Sequence, residues 1–332
     1  MNALAVVGAG SWGTALAKTL APRFDRVMLW ARDVELAKCI NSHRENGRYL
    51  PGLRLPANIF ATSELGAVLD GAEIVLSVTP ARHTRGVYQQ MRPHLISGMC
   101  FVSATKGIEN GTLLRMSEVI SEVISPAFQP RVAVLSGPTF AKEVAAGEPT
   151  ALVIASEDPA LASTIQSAFA HSTFRLYTSS DVRGVEYGAA LKNVIAIGAG
   201  MCQGLGLGGN SVAALVTRGL AEITRLAVAL GASPRTLSGL AGLGDLVLTC
   251  TGELSRNRAV GIELASGKPL QKILSEMNQV AEGIYTCRAA RDLARRFDIQ
   301  MPITEQMFEI LHNEQPVRAA IQQLMERPLT SE

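Results

Sequence analysis

The sequence predicts an α/β fold with an N-terminal Rossmann-like, mainly parallel sheet carrying helices on both faces, followed by an all-α C-terminal domain. Three observations lead there. The chain opens on a strand, a glycine turn and a helix; β-rich runs then alternate with helical segments; and after about Ser180 the β-rich runs become scarce while long helical patterns take over. In the opening, Ala3-Leu-Ala-Val-Val7 reads as a buried strand. It runs into Gly8-Ala-Gly-Ser-Trp-Gly13, a GxGxxG turn before an apolar helix over residues 14–20. Gly8 permits the tight bend, Gly10 keeps a side chain out of a phosphate's path, and Gly13 lets the helix pack on its strand. The unpaired N–H groups of the new helix face the anion. Further strands are expected at 26–30, 73–78, 99–103, 132–136, 151–155 and 174–177. Helices are expected at 34–42, 81–91, 112–124 and 160–169, lengths that suit crossovers in a parallel sheet.

A length of 332 residues fits about two domains. The composition shift divides them into a dinucleotide-binding unit, 1–180, and a helical substrate-binding unit, 181–332. In the second unit, residues 212–230 place Val212, Leu215, Val216, Leu220, Ile223, Leu226, Ala227 and Leu230 on one face, with Arg218, Glu222 and Arg225 outside it. That pattern describes a helix packed by its apolar stripe. Residues after Arg327 read as a frayed tail.

Net charge is +2, and the basic residues are dispersed, so no stripe for nucleic acid stands out. The five cysteines include no CxxC and the five histidines show no paired ligand spacing, which predicts reduced thiols, a cytoplasmic location and no metal site. Every apolar stretch is interrupted before the ~18 residues of a membrane helix, so no span is expected. The N-terminus shows no basic segment or cleavage site, so secretion is not expected. A glycine- and alanine-rich second half that can pack on a copy of itself makes a homodimer a candidate.

The end of the second strand bears on the coenzyme. There Trp30-Ala-Arg-Asp33 offers a guanidinium at Arg32 that suits a 2′-phosphate, while Asp33 can cap the next helix instead of holding a ribose hydroxyl. This puts NADP(H) first, with NAD(H) tolerated; a solvated surface arginine is the plainer alternative. Hydride chemistry also needs a proton-exchanging group, and no histidine has a persuasive setting. Lys192 does: it stands in an otherwise apolar helix, Val185-Glu-Tyr-Gly-Ala-Ala-Leu-Lys-Asn-Val-Ile-Ala-Ile197, where burial would pull its pKa toward neutrality. The alternative is a lysine that snorkels to water. Lys106 follows the strand ending at Ser103, where ligands sit in open α/β sheets, and its charge would help lower the proton affinity of Lys192 if they share a pocket; a surface loop lysine is the plainer alternative. Ser136-Gly-Pro-Thr-Phe-Ala141 follows another strand and offers small residues and backbone amides. Asp245 stands alone among glycines and apolar residues, so it needs a lysine, a substrate hydroxyl or a helix N-cap as partner. Ser255-Arg-Asn257 forms a set able to grip a phosphate, or a solvated turn.

Together these segments resemble the bacterial-type NAD(P)-dependent sn-glycerol-3-phosphate dehydrogenase family over nearly the whole chain. The motifs are Gly8-Ala-Gly-Ser-Trp-Gly-Thr-Ala-Leu-Ala17, Tyr49-Leu-Pro-Gly52 with Leu55-Pro56, Ala104-Thr-Lys-Gly-Ile108, Leu135-Ser-Gly-Pro-Thr-Phe-Ala141, Ala190-Leu-Lys-Asn-Val-Ile195, Gly242-Leu-Gly-Asp-Leu246 and Ser255-Arg-Asn257. The resemblance implies reversible reduction of dihydroxyacetone phosphate to sn-glycerol 3-phosphate, feeding glycerophospholipid synthesis. It implies that Ser11, Trp12 and Arg32 bind nucleotide, that Lys106 touches nucleotide and substrate, that Gly137 and Thr139 line the substrate side, and that Ala141 lines the cofactor side. Lys192 is implied as the proton acceptor in oxidation and donor in reduction. Asp245, Ser255, Arg256 and Asn257 are implied to hold substrate, Arg256 also reaching the cofactor. In Gln279-Val-Ala-Glu-Gly283, Val280 and Glu282 match cofactor contacts. Where some relatives carry a second basic residue after Arg32, this chain has Asp33, which weakens strict NADP(H) preference. Two rival readings are a β-hydroxyacid dehydrogenase of similar two-part plan and a nucleotide-sensing module in which Lys192 only packs.

Overall fold

The computed structural model describes residues 2–277 and 280–329. Its strands are β1 (Ala3–Val7), β2 (Arg26–Trp30), β3 (Glu45–Asn46), β4 (Leu50–Arg54), β5 (Ile59–Thr62), β6 (Ile74–Ser77), β7 (Cys100–Ser103), β8 (Arg131–Ser136), β9 (Thr150–Ala155) and β10 (Phe174–Ser179). Eight of them form one sheet in the order β10-β9-β8-β7-β6-β1-β2-β5, while β3 and β4 pair as a separate ribbon. Every pair in the large sheet is parallel except β8 with β9. The chain therefore leaves β1 toward β2 on one side and reaches β6 on the other, which makes the β1/β6 crevice the switch point where open α/β sheets bind ligands.

The central strands read as continuous apolar runs because both faces are covered. Leu4 and Val6 point into one cluster with Leu16, Leu20, Ile40 and Phe169. Ala5 and Val7 point into the other, with Val68, Tyr88, Met91 and Ile120. This alternation along β1 is the period-2 geometry of a strand.

Past β10 the sheet gives way to helices. Helix Val182–Gly204 is buried along almost its whole length and is the axis of the second half. Its glycines admit neighbouring backbone: a Cβ at Gly200 would collide with the Arg258 carbonyl, and one at Gly261 with that of Ile197. Helix Arg256–Ala265 can therefore lie directly against it. Among the described residues no helix is long and apolar enough to cross a membrane.

Several expectations are corrected. The first helix, Ser11–Leu20, starts inside the glycine turn rather than at residue 14, because Gly10 serves as its N-cap. The helix expected from 112 begins at Met116. Leu113 has φ +63°, and Ile108 bridges Arg115, so 106–115 is a closed loop. The short strands β3, β4 and β5 were not anticipated, since Pro51, Gly52 and Pro56 break up their pattern. Glu222, expected outside the stripe of its helix, Gly209–Ala229, is 2% exposed and accepts from the N–H groups of Ile303 (2.6 Å) and Thr304 (3.1 Å). It satisfies the open amides of helix Pro302–Asn313, which no neighbouring side chain caps. The tail expected to fray lies partly outside the described residues, at 330–332, as does Gln279 of the Val280–Glu282 motif.

Candidate active site

The glycine turn is built as the sequence requires. Gly8 has φ +125°, and a Cβ there would lie 2.7 Å from the Val78 carbonyl oxygen, so the turn sits hard against the end of β6. A Cβ at Gly13 would collide with the carbonyl of Gly8. Gly10, by contrast, faces open space and caps its helix with no side chain, leaving the helix N-terminus to an outside anion. Trp12 Nε1 is buried without a hydrogen-bond partner among the described residues, and Ser11 Oγ donates to the Tyr49 carbonyl (2.5 Å). Ala141, first residue of helix Ala141–Ala146, packs in the same small apolar cluster as Trp12. An open cradle of backbone amides beside an indole N–H that lacks an acceptor fits a dinucleotide pyrophosphate.

At the end of β2, Arg32 is exposed. Asp33 is committed elsewhere: its carboxylate accepts from the N–H groups of Glu35 (2.9 Å) and Leu36 (3.2 Å), capping helix Val34–His43, and from Arg48 Nη1 (2.7 Å).

The second cluster gathers side chains from three distant segments. Asp245, fully buried, is the first residue of helix Asp245–Thr251; it does not cap that helix but faces two lysines. Lys106 Nζ reaches its Oδ2 at 2.8 Å and Lys192 donates to its Oδ1. The remaining Lys106 donors go to the Gly137 carbonyl (3.0 Å) and Thr139 Oγ1 (3.1 Å). Lys192 also donates to Thr249 Oγ1 (2.6 Å), whose hydroxyl proton is turned to the Asp245 carbonyl (2.6 Å). Two of the three ammonium donors of Lys192 are thus held in place and one is left for a ligand. Burial pulls the Lys192 pKa down to about 7, with Asp245 opposing and Lys106 adding to the fall. Lys192 therefore does not snorkel; it is 4% exposed. Burial pushes the neighbouring Cys250 thiol up to about 12, which removes it as a competing acid or base near neutral pH.

The third group lies one helix away. Ser255, Arg256 and Asn257 open helix Arg256–Ala265, and Ser255 Oγ caps it by accepting from Arg258 N–H (3.2 Å). Asn257 joins Asn193, the residue after Lys192, through Nδ2 to Oδ1 (2.9 Å), and accepts from Gly283 N–H (3.0 Å). Arg256 is an exposed residue overall, but its guanidinium is tucked against the second half: it donates to the Val280 carbonyl (3.0 Å), and burial lowers its pKa, with Glu282 opposing. Glu282 reaches across to the first half and accepts from Ala81 N–H (3.3 Å), close to Gly107. The three groups are continuous: Val78 touches the turn, Thr79 accepts from Thr105 Oγ1 (2.8 Å), and Lys106 follows.

The sequence reading missed Thr249 and Asn193. Thr249 stands four residues after Asp245, the spacing that stacks two side chains on one helix face, so a signal existed. Asn193 has meaning only once Asn257 is beside it.

The family model described as NAD-dependent glycerol-3-phosphate dehydrogenase N-terminus matches residues 3–162, and the one described as its C-terminus matches 181–322. A glycerol-3-phosphate dehydrogenase [NAD(P)+] of Koribacter versatilis is 56% identical over 334 aligned residues, covering 100% of this chain and 99% of the relative. One from Nitratidesulfovibrio vulgaris is 51% identical over 329, with 99% of each covered. The crystal structure of glycerol-3-phosphate dehydrogenase from Coxiella burnetii superposes with a TM-score of 0.94 at 38% identity, covering 98% of this chain and 99% of that one. A D-mandelate dehydrogenase with NADH has a TM-score of 0.60 at 14% identity, covering 94% and 98%, a likeness of fold alone.

Proposed function

Because this chain belongs to the NAD-dependent glycerol-3-phosphate dehydrogenase family, we propose that its lysine–aspartate cluster is the proton-exchange centre of that reaction. The protein is an NAD(P)-dependent oxidoreductase acting on a CH–OH group: it interconverts dihydroxyacetone phosphate and sn-glycerol 3-phosphate, a step consistent with lipid metabolism. The rival β-hydroxyacid and sensor readings are not favoured. The single observation carrying the site assignment is a buried Lys192 with a near-neutral pKa and one free donor.

When bound, the nicotinamide coenzyme supplies or accepts the hydride at C2 of the substrate. Lys192 Nζ gives its proton to the C2 oxygen in reduction and takes it back in oxidation. Asp245 and Thr249 aim that nitrogen, and the Lys106 charge keeps its proton transferable near neutral pH. Lys106, Gly137 and Thr139 form the wall opposite, where the substrate exchanges with one of the three Lys106 contacts. Arg256, the remaining Asn257 N–H and the helix start after Ser255 hold the phosphate. Anchoring the phosphate would restrict where C2 can lie relative to Lys192 Nζ, and such orientation is worth on the order of 7 kcal/mol or more in favourable cases. Gly8, Gly10, Ser11, Trp12, Gly13 and Ala141 would hold the coenzyme pyrophosphate, and Val280 and Glu282 would contact the coenzyme from the second half.

Since Asp33 is occupied by its helix and by Arg48, Arg32 would be left to hold a 2′-phosphate with no free carboxylate competing for the ribose, which supports NADP(H) over NAD(H). Further parts of the reading are a functional division at 1–180 and 181–332, a cytoplasmic location and a homodimer. The test is direct: the oxidation of NADPH and of NADH is followed with dihydroxyacetone phosphate and with dihydroxyacetone. Turnover with the phosphorylated ketone alone supports the phosphate grip, and equal turnover with both removes it.

A further inference from the structure

One buried ion pair lies outside the machinery described so far. Arg115, 5% exposed, places Nη1 2.7 Å from Oε2 of Glu186, itself 4% exposed. Glu186 also accepts from the Ser117 N–H (2.8 Å) and the Ser117 hydroxyl (2.6 Å), so all of its contacts are donors, as a carboxylate requires. The other arm of Arg115 reaches Glu118 at 2.8 Å, and the guanidinium lies 5.9 Å from the Tyr187 ring centroid.

What this pair connects gives it meaning. Arg115 closes the loop that begins at Lys106. Within it Glu109 N–H donates to the Leu114 carbonyl (2.9 Å), Leu113 N–H donates to that of Glu109 (2.9 Å), and Ile108 bridges Arg115. On its outer side the loop is tied by Glu109 to Arg85 (2.8 Å), which also holds Glu122 (3.0 Å). Glu186 stands in the opening turns of helix Val182–Gly204, the element that carries Lys192. The pair therefore bolts the loop bearing one lysine of the site to the helix bearing the other.

We propose that Arg115 and Glu186 act as a positioning pair, holding the Lys106 loop and the Lys192 helix at the separation where both lysines reach Asp245. The proposal rests on the assignment of Lys192 made above. A buried ion pair adds little stability compared with well-packed apolar side chains, and its best-attested use is to fix one arrangement among alternatives. Here the alternative is a loop drifted outward, with Lys106 drawn off Asp245 Oδ2. The ionisable groups around Lys192 are Asp245, Lys106 and Cys250. Withdrawing Lys106 removes a like charge from Lys192 and leaves it the carboxylate, so its proton is held more tightly.

The experiment compares Glu186→Gln and Arg115→Lys with Lys192→Ala, using kcat, KM for both substrates, melting temperature and the pH profile of glycerol 3-phosphate oxidation. The positioning role predicts that kcat in the two pair variants falls on the order of tenfold to a hundredfold. NADPH affinity stays within about twofold, as expected when a change acts on the reacting geometry. The rising limb of the oxidation profile moves to higher pH. The double variant Arg115→Gln/Glu186→Gln, which can rejoin loop and helix through an amide pair, recovers part of the lost kcat. A folded Glu186→Gln enzyme with full kcat and an unmoved limb overturns the proposal, even if its melting temperature drops. Should Glu186→Gln not fold, Arg115→Lys, which keeps the charge, decides the question by the same two readouts. An inactive Lys192→Ala beside a fully active Glu186→Gln rejects the pair alone, whereas an active Lys192→Ala rejects the lysine assignment itself.

Discussion

The glycine turn and the lysine–aspartate cluster solve opposite physical problems. The turn between Gly8 and Gly13 is made of backbone, spans six residues, and depends on side chains being absent where a Cβ would strike the Val78 or Gly8 carbonyl. The cluster is made of buried charge brought together from residues 106, 192 and 245, and each charge is tolerable only because the others neutralise or hydrogen-bond it. A backbone site is rigid and chemically inert, suited to holding a coenzyme. A buried charge cluster has proton affinities set by its members, so it can do chemistry.

This contrast is open to test at both ends. The largest effect is expected at Lys192. Replacing it with Ala should lower turnover by about a thousandfold, the middle of the range for a general acid–base group, with NADPH affinity changed only a few-fold; near-normal turnover removes the contrast altogether. At the turn the split should reverse. Gly10→Val adds atoms in open space, so melting temperature should hold while NADPH affinity falls, on the order of tenfold or more, as the side chain enters the pyrophosphate path. Equal affinity in calorimetric titration would place the pyrophosphate elsewhere.

Between these lies the phosphate grip. Arg256→Ala should chiefly raise KM for dihydroxyacetone phosphate, by roughly 10- to 100-fold, the size of one lost charge-assisted hydrogen bond of about 1.5–3 kcal/mol. A loss confined to kcat would contradict it. The pH dependence follows from a Lys192 pKa near 7. Oxidation needs the neutral amine, so kcat/KM for glycerol 3-phosphate should rise with pH through about 7; reduction needs the ammonium and should fall over the same interval. Because Asp245 raises that pKa, Asp245→Asn should shift both limbs to lower pH, and a shift to higher pH would mean that the carboxylate is not the counter-charge. The smallest change is expected from Arg32→Ala, a loss of roughly tenfold in the NADPH-to-NADH ratio of kcat/KM, consistent with one exposed guanidinium.

The two regions also differ in how openly the sequence displayed them. The turn, the alternation of strands and crossovers, and the change to helices after Ser180 are local patterns, and they were readable to within a few residues. The start of the helix at Met116 was not, because the preceding loop is set by the Ile108–Arg115 bridge and by Glu186, 71 residues away from Arg115. Glu222 looked like a solvent-facing residue by periodicity, yet the open amides of a helix 80 residues downstream take it inside. Lys106, Lys192 and Asp245 could each be singled out as chemically odd, but three separate alternatives stood beside them until their side chains were seen to meet.

Local backbone preference and the spacing of apolar residues act over a few neighbours, so the chain alone specified most of its strands and crossover helices, its glycine turn and the residue types available for chemistry, but not the short strands β3, β4 and β5. Which charges face one another, which lysine keeps a spare proton donor, and which carboxylate is a cap and which a counter-ion were set by folding. Those outcomes depend on desolvation and on distances between segments as much as 139 residues apart, and no local pattern encodes them.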